Sequence, residues 1–325
     1  MGDRTGIAWT EATWNPLRGC SRVSEGCRFC YAEKLAARFS GSGHAYEGLA
    51  HVTASGQARW TGTVVLVEKH LDDPLRWTRP RRVFVNSMSD VFHEAVPDEW
   101  IDKIMARIVL ADGRGRWAGH LYQVLTKRAE RMHAYMTDPD TPYRVGVQRC
   151  KVVVGFTPHR GGLDWTHGAE AWPPTRLHLG ISAEDQASAD DRIPWLLRTP
   201  AAVRWLSAEP LLGPLDLEAT NRLAGVHVGA LGTGGVRGLD WVVAGGESGG
   251  PPERRLVVES CEDHRWFWRP KPHALEWARA LRDQCQAAGV PFFFKQWGGP
   301  APKSGDDVLD GRRWQEYPEA RHVRP

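Results

Sequence analysis

No stretch of the 325-residue chain approaches the roughly 20 consecutive apolar residues needed to cross a bilayer, so a membrane role is not expected. Met1 to Asn15 carries Asp3, Arg4 and Glu11 and lacks an apolar core before any small-residue cleavage site. That argues against a secretory signal and for a cytoplasmic location. Six cysteines are too few to staple a chain of this length into a disulfide scaffold. Internal repeats and low-complexity tracts are missing, which argues against a solenoid. H-E-x-x-H, G-x-x-x-x-G-K-[ST] and G-x-S-x-G are missing as well. Those absences count against a metalloprotease, a phosphoanhydride hydrolase and a serine hydrolase. With 42 basic residues against 39 acidic ones the net charge is only +3, too small to imply strong non-specific nucleic-acid binding.

What is present is the composition of a soluble, cored protein, 42% apolar and 25% charged. Short apolar runs rich in β-branched or aromatic residues recur at Val64 to Val67, Val83 to Val85, Leu121 to Leu125, Val152 to Val154, Leu177 to Ile181, Val203 to Leu206, Trp241 to Val243 and Pro291 to Phe294. Many are continuous, as in strands covered on both faces. Helical spacing appears between them, from Asp98 to Leu110, with Gly113 beyond its end, and from His273 to Ala288, stopped by Gly289. Shorter helices are expected over Thr126 to Met132, Glu184 to Leu197 and Tyr31 to Phe39, the last with Leu35 and Phe39 on one face. This rhythm predicts an α/β fold, a full or partial TIM-like β/α barrel, with a doubly wound sheet as the alternative. One domain over 1–299 is expected, with insertions near 40–60 and 156–174 and a C-terminal extension over 300–325.

Three of the cysteines, Cys20, Cys27 and Cys30, fall within eleven residues in the run WNPLRGCSRVSEGCRFCYAE, spaced C-x6-C-x2-C. Cys285 lies on an apolar helical stripe and reads as core. Thiolates select zinc, copper or iron-sulfur centres. A structural zinc site wants four protein ligands, and only three cysteines are local. A four-iron cluster held by three cysteines leaves one iron free for a substrate or cofactor. Zinc completed by a distant ligand, and plain buried thiols, are the alternatives.

The cysteine loop resembles that of the radical S-adenosylmethionine enzymes, whose usual spacing is C-x3-C with the same C-x2-C ending and an aromatic residue before the last cysteine, here Phe29. The longer first spacing departs from that pattern. The chain also resembles a group found in phages and bacteria that carries W-N-P-x-x-G-C, N-S-M-S-D-x-F, L-T-K-R and G-G-E-S. Those runs stand here at Trp14 to Cys20, Asn86 to Phe92, Leu125 to Arg128 and Gly245 to Ser248. The resemblance implies a barrel of the radical S-adenosylmethionine type and a [4Fe-4S] cluster on Cys20, Cys27 and Cys30. It also implies S-adenosylmethionine as cofactor, an electron donor such as flavodoxin or ferredoxin, and generation of a 5'-deoxyadenosyl radical.

In a β/α barrel the loops after the strands gather at one mouth. That nominates Ser87 and Asp90, Lys127 and Arg128, Ser182 and Glu184, Glu209, Gly245, Gly246 and Glu247, and Lys295. Ser87 and Asp90 stand where the resemblance places the partners of the cofactor's ammonium, and Lys127 or Arg128 would meet its carboxylate. Gly245, Gly246 and Glu247 would approach its sugar or the substrate. Glu209, fixed before Pro210, Lys295 and Cys150 are the candidate catalytic groups, Cys150 as a donor to a radical intermediate. The 16 Trp, the preponderance of arginine and the stretch Trp77, Arg79, Arg81, Arg82 suit a nucleotide or nucleic-acid substrate, although Trp as core filler would look the same. A peptide or small-metabolite substrate, and a zinc-stabilised nucleic-acid-binding protein without catalysis, are the competing readings.

Overall fold

A computed structural model describes residues 5–111, 117–154, 172–218, 221–223, 226–232, 237–262, 265–301 and 304–318. Seven strands form one parallel sheet in chain order: β1 (Ala12–Trp14), β2 (Arg82–Val85), β3 (Leu121–Thr126), β4 (Leu177–Ser182), β5 (Val203–Ala208), β6 (Trp241–Gly245) and β7 (Phe292–Gln296). An unreversed order means that every crossover turns the same way, so the sheet curls into a half barrel. A doubly wound sheet would reverse its order at the middle. The crossover helices are α1 (Tyr31–Arg38), α2 (Asp98–Leu110), α3 (Ala129–Thr137), α4 (Thr141–Val154), α5 (Gln186–Arg198) and α6 (Pro272–Ala288).

Alternation along the strands sorts their side chains into two cores. Val83, Val85, Val124, Leu179, Leu206, Val242, Phe292 and Phe294 pack with Ile101, Ile104, Met132, Leu196, Leu281 and Cys285 of the helices. The opposite residues Phe84, Trp205, Trp241, Val243 and Phe293 surround Trp9 inside the curl. Trp9 meets Phe84 and Trp205 edge-on, with ring centroids 4.8 and 5.2 Å apart, a geometry worth about 0.5–1.5 kcal/mol per pair beyond area burial. Much of the tryptophan is therefore core.

The C-terminal extension packs onto this frame as far as Pro318. Phe294 donates its N–H to Trp314 (2.8 Å), which covers the free edge of β7. Tyr317 lies beside Trp241 and Phe293 and carries the Arg82 guanidinium 4.2 Å from its ring centre. Arg82 begins β2, so the Trp77 to Arg82 stretch lies at the end of the sheet opposite the strand C-termini.

Several expectations need correction. Val152 to Val154 ends helix α4 and is no strand; that helix packs on α2, where Val145 is buried, and tertiary contact outweighs three β-branched residues. Cys150 consequently sits on an outer helix. Within Val64 to Val67 only Val65–Leu66 is extended, paired antiparallel with Leu17–Arg18 outside the main sheet. Helix α1 does form, and the face that Leu35 and Phe39 share is turned to solvent, while Ala32, Glu33 and Ala36 are buried. The insertion near 40–60 is a small hairpin, Ala50–Val52 with Ala58–Trp60. Gly113 and nearly all of 156–174 lie outside the described residues. No described helix is long and apolar enough to cross a membrane.

Candidate functional site

Strand β1 delivers the chain into the cysteine loop, and the ends of the following strands hold that loop in place. Asn86, just past β2 and in the left-handed region at φ 60°, accepts the N–H of Leu17 on Oδ1 (3.3 Å) and donates its own N–H to Trp14 (2.8 Å). Its Nδ2 is buried and has no partner among the described residues. Asn15 returns the link, its Oδ1 accepting from Ser87 Oγ (3.1 Å) and from the N–H of Met88 (3.2 Å). Ser89 donates to the Leu17 carbonyl (3.1 Å). The W-N-P and N-S-M-S-D runs are thus two halves of one junction.

Beyond β3, Arg128 is a buried hub. It donates to Asp90 (3.1 Å), to Glu94 (2.8 Å) and, within the cysteine loop, to Ser21 Oγ (2.8 Å). Asp90 also accepts from Thr126 Oγ1 (2.8 Å) and from the N–H of Lys127 (3.2 Å). His93 meets the same Ser21 hydroxyl through Nε2 (2.8 Å). Since the N–H of Ala95 donates to Nδ1 (3.1 Å), Nε2 carries the proton of a neutral ring. Burial, with Arg128 beside it, holds His93 below its ordinary pKa.

Beyond β4, Glu184 is buried, and it accepts from Ser24 Oγ (2.5 Å), Arg192 (3.0 Å) and Lys127. Burial alone would raise its pKa, but Lys127 and Arg192 outweigh that and hold it at about 2. Gly26 of the loop lies so close that a Cβ there would overlap the Glu184 carboxylate. Ser182 is buried, and its carbonyl accepts from Arg192 (2.6 Å).

Beyond β5, Glu209 pairs with Lys295 at the end of β7 (2.7 Å) and accepts from Ser207 Oγ (3.2 Å) and Trp9 Nε1 (3.4 Å). Beyond β6, Gly246 donates its N–H to the Gln296 carbonyl (2.9 Å), and a Cβ there would strike the Trp297 backbone. Close packing of the chain on itself accounts for that glycine. Glu247 accepts from Arg254 Nε (2.6 Å), and Arg254 donates onward to the Glu25 carbonyl in the cysteine loop (3.1 Å), its guanidinium 5.0 Å from the Phe29 ring centre.

The structure therefore brings Ser87, Asp90, Lys127, Arg128, Glu184, Glu209, Glu247 and Lys295 to the strand C-termini around the loop, and leaves Cys150 outside that group. Most of them are occupied by one another. Glu33 is buried, accepting from Arg22 and from the N–H of Trp60 (2.9 Å), and so fixes helix α1 rather than facing a ligand. Ser24, His93, Arg192 and Arg254 belong to the site although no motif nominated them as such. Except for Arg192, which reaches back only 8 residues to Glu184, they have partners far away in the chain, 229 residues in the case of Arg254 and Glu25, and no local pattern signals that.

Cys20, Cys27 and Cys30 are free and half-buried. Cys27 closes a short helical turn over Glu25–Cys27, and Cys30 caps helix α1. Burial, reinforced by Asp90 and opposed by Arg128, pushes the Cys20 thiol up to about 12; burial also raises that of Cys30. Among the described residues no three His, Cys, Asp or Glu side chains close round a single ion.

Fold and site together define an α/β half-barrel protein with a three-cysteine loop tied across its strand C-termini. Residues 4–266 and 268–318 match the family described as protein of unknown function DUF5131, and the chain belongs to that family. No curated protein matches it. No solved structure matches it.

Proposed function

We propose that this protein is a radical S-adenosylmethionine enzyme whose [4Fe-4S] cluster is held by Cys20, Cys27 and Cys30 and whose substrate is a nucleotide, nucleobase or nucleic acid. The observation that carries the reading is the placement of the cysteine loop. Arg128, Glu184 and Arg254, each following a different strand, grip it at Ser21, Ser24 and Glu25. In β/α barrels that end of the sheet is where ligands react.

Three soft thiolates in one loop are the donor type that iron-sulfur coordination takes. When bound, cluster and S-adenosylmethionine would supply one-electron chemistry, with an electron donor such as flavodoxin or ferredoxin as the source. The chain's own residues position and insulate. Arg128, charged and braced by Asp90 and Glu94, keeps Ser21 beside Cys20. Ser87 and Lys127 stand at the strand ends where polar groups of a cofactor would arrive. The Glu209–Lys295 pair offers a substrate an acceptor and a donor side by side. The aromatic filling beneath Trp9 keeps water out from below.

Anaerobic reconstitution with iron and sulfide, then addition of reductant and S-adenosylmethionine, tests the reading. The expected result is absorption near 400 nm and formation of 5'-deoxyadenosine and methionine, both lost in Cys20→Ala, Cys27→Ala and Cys30→Ala. One bound zinc without sulfide, or a cluster that binds the cofactor and never cleaves it with candidate substrates present, would sink it.

A further inference from the structure

Helix α1 leaves the cysteine loop at Cys30, and its outward face is uniform in kind. The exposed side chains are Tyr31, Lys34, Leu35, Arg38 and Phe39. Its one acid, Glu33, is turned inward and paired with Arg22. Everything the helix presents to solvent is therefore aromatic, apolar or cationic. Tyr31 is 56% exposed and yet fixed, because its hydroxyl donates to the Ser87 carbonyl (2.7 Å) at the strand ends. Phe39, 41% exposed, lies two turns further out, about 12 Å along the axis. The Arg38 guanidinium stands 5.9 Å from the Phe39 ring centre, Lys34 donates to the Gly249 carbonyl (3.0 Å), and exposed Arg28, 3.6 Å from the equally exposed Glu25 carboxylate, extends the cationic line back into the cysteine loop.

We propose that this face docks single-stranded nucleic acid, with bases on Tyr31 and Phe39 and phosphates at Arg28, Lys34 and Arg38. A polyanion complements a face whose exposed charges are mostly cationic, and planar bases can stack on two separated rings. Bases stacked inside a duplex cannot reach those rings, so the strand must be single. The face ends on Tyr31, close enough to Glu209 for the two to interact electrostatically, so a strand lying along it leads toward the Glu209–Lys295 pair. The sequence nominated the Trp77 to Arg82 stretch for this work, but it lies at the far end of the sheet. Docking of a single strand deepens the proposed function by naming the form of the substrate, and rests on that function only for the chemistry after docking.

Fluorescence anisotropy of the reconstituted full chain with labelled mixed-sequence single-stranded DNA and RNA provides the test. Single strands should bind more tightly than the matching duplex, more weakly as salt rises. Phe39→Ala should weaken binding between about five- and a hundred-fold, and Phe39→Trp should preserve it. Arg38→Gln should make the salt dependence shallower by about one charge. Both positions are exposed, so an unchanged melting curve shows that the variants fold. Absent binding at low salt, or unaltered affinity in both variants, would overturn the proposal. So would unaltered affinity combined with slower reduction of the cluster by an acidic electron carrier, which would assign the face to that carrier. A chain that binds the strand as described and never yields 5'-deoxyadenosine leaves the docking face standing and removes the enzymatic reading.

Discussion

Ser24, in the middle of the cysteine loop, donates its hydroxyl at 2.5 Å to Glu184, which lies beyond the fourth strand 160 residues later. The two ends of this bond differ in what they support. Ser24 makes one hydrogen bond to a charged acceptor and a weak contact with Cys27 Sγ (3.9 Å), whereas Glu184 also neutralises Lys127 and Arg192. Ser24→Ala should therefore cost about 1.5–3 kcal/mol. Glu184→Ala, which takes from Lys127 and Arg192 their shared buried carboxylate, should cost about 3–5 kcal/mol. Urea unfolding of the cluster-free chain measures both, and equal losses would mean that Glu184 acts on the loop alone.

Acid should unfold the protein in two stages. His178 in β4 is held at about 4 by burial, partly offset by Asp240. The unfolded chain takes up that proton near 6.5 while the folded one refuses it until about 4, so stability is full above 6.5 and falls between those values. The loss is about 3 kcal/mol at most. Glu184, whose folded pKa is also lowered, gives the same slope: its contribution is complete above about 4.5 and disappears as pH falls toward 2. Denaturation midpoints between about pH 7 and 3 should decline throughout. His178→Gln should flatten only the upper arm, and an unaltered upper arm would remove His178 as its cause.

The strands that read clearly in the sequence are those with continuous apolar runs, such as Val203 to Leu206 and Trp241 to Val243, because burial on both faces leaves no alternation to obscure them. Strand β1 escaped notice because three residues, Ala12 to Trp14, are too short to form a pattern. Helix α1 was legible as a helix but not in its orientation: Tyr31, Leu35 and Phe39 have the spacing of a core stripe, and only the position of the cysteine loop turns them outward. The site was legible at the strand ends, where a polar residue comes after an apolar run. The bonds that organise it were not, because Arg254 reaches Glu25, and Glu184 reaches Ser24, through folding alone.

Gly26→Ala tests how tightly the loop is seated. A methyl group there would overlap the Glu184 carboxylate and displace it from Ser24, Lys127 or Arg192. The expected cost is about 1–3 kcal/mol, with faster proteolysis inside the loop. Gly26→Ala combined with Glu184→Ala should cost clearly less than the two changes added together, since the second removes the clash. Strict additivity in that cycle would show that the two residues are not in contact.

Arg254 makes the longest-range clamp on the loop, and its loss should separate loop order from global stability. Its guanidinium is committed to Glu247 on one side and to the Glu25 carbonyl and the Phe29 ring on the other. Arg254→Met keeps much of the side chain's bulk but frees Glu25 and Phe29, so trypsin should cut faster at Arg22 and Arg28 in the cluster-free protein. If the proposed cluster is held there, iron retained after anaerobic reconstitution and gel filtration should fall, because Cys27 lies within the freed segment and Cys30 next to it. Arg254→Lys should rescue little of either effect: an ammonium cannot serve the Glu247 carboxylate, a backbone carbonyl and an aromatic face together as a planar guanidinium does. Full rescue by lysine would mean that charge alone holds the loop, and an unaltered cleavage rate in Arg254→Met would mean that Arg254 does not hold it at all.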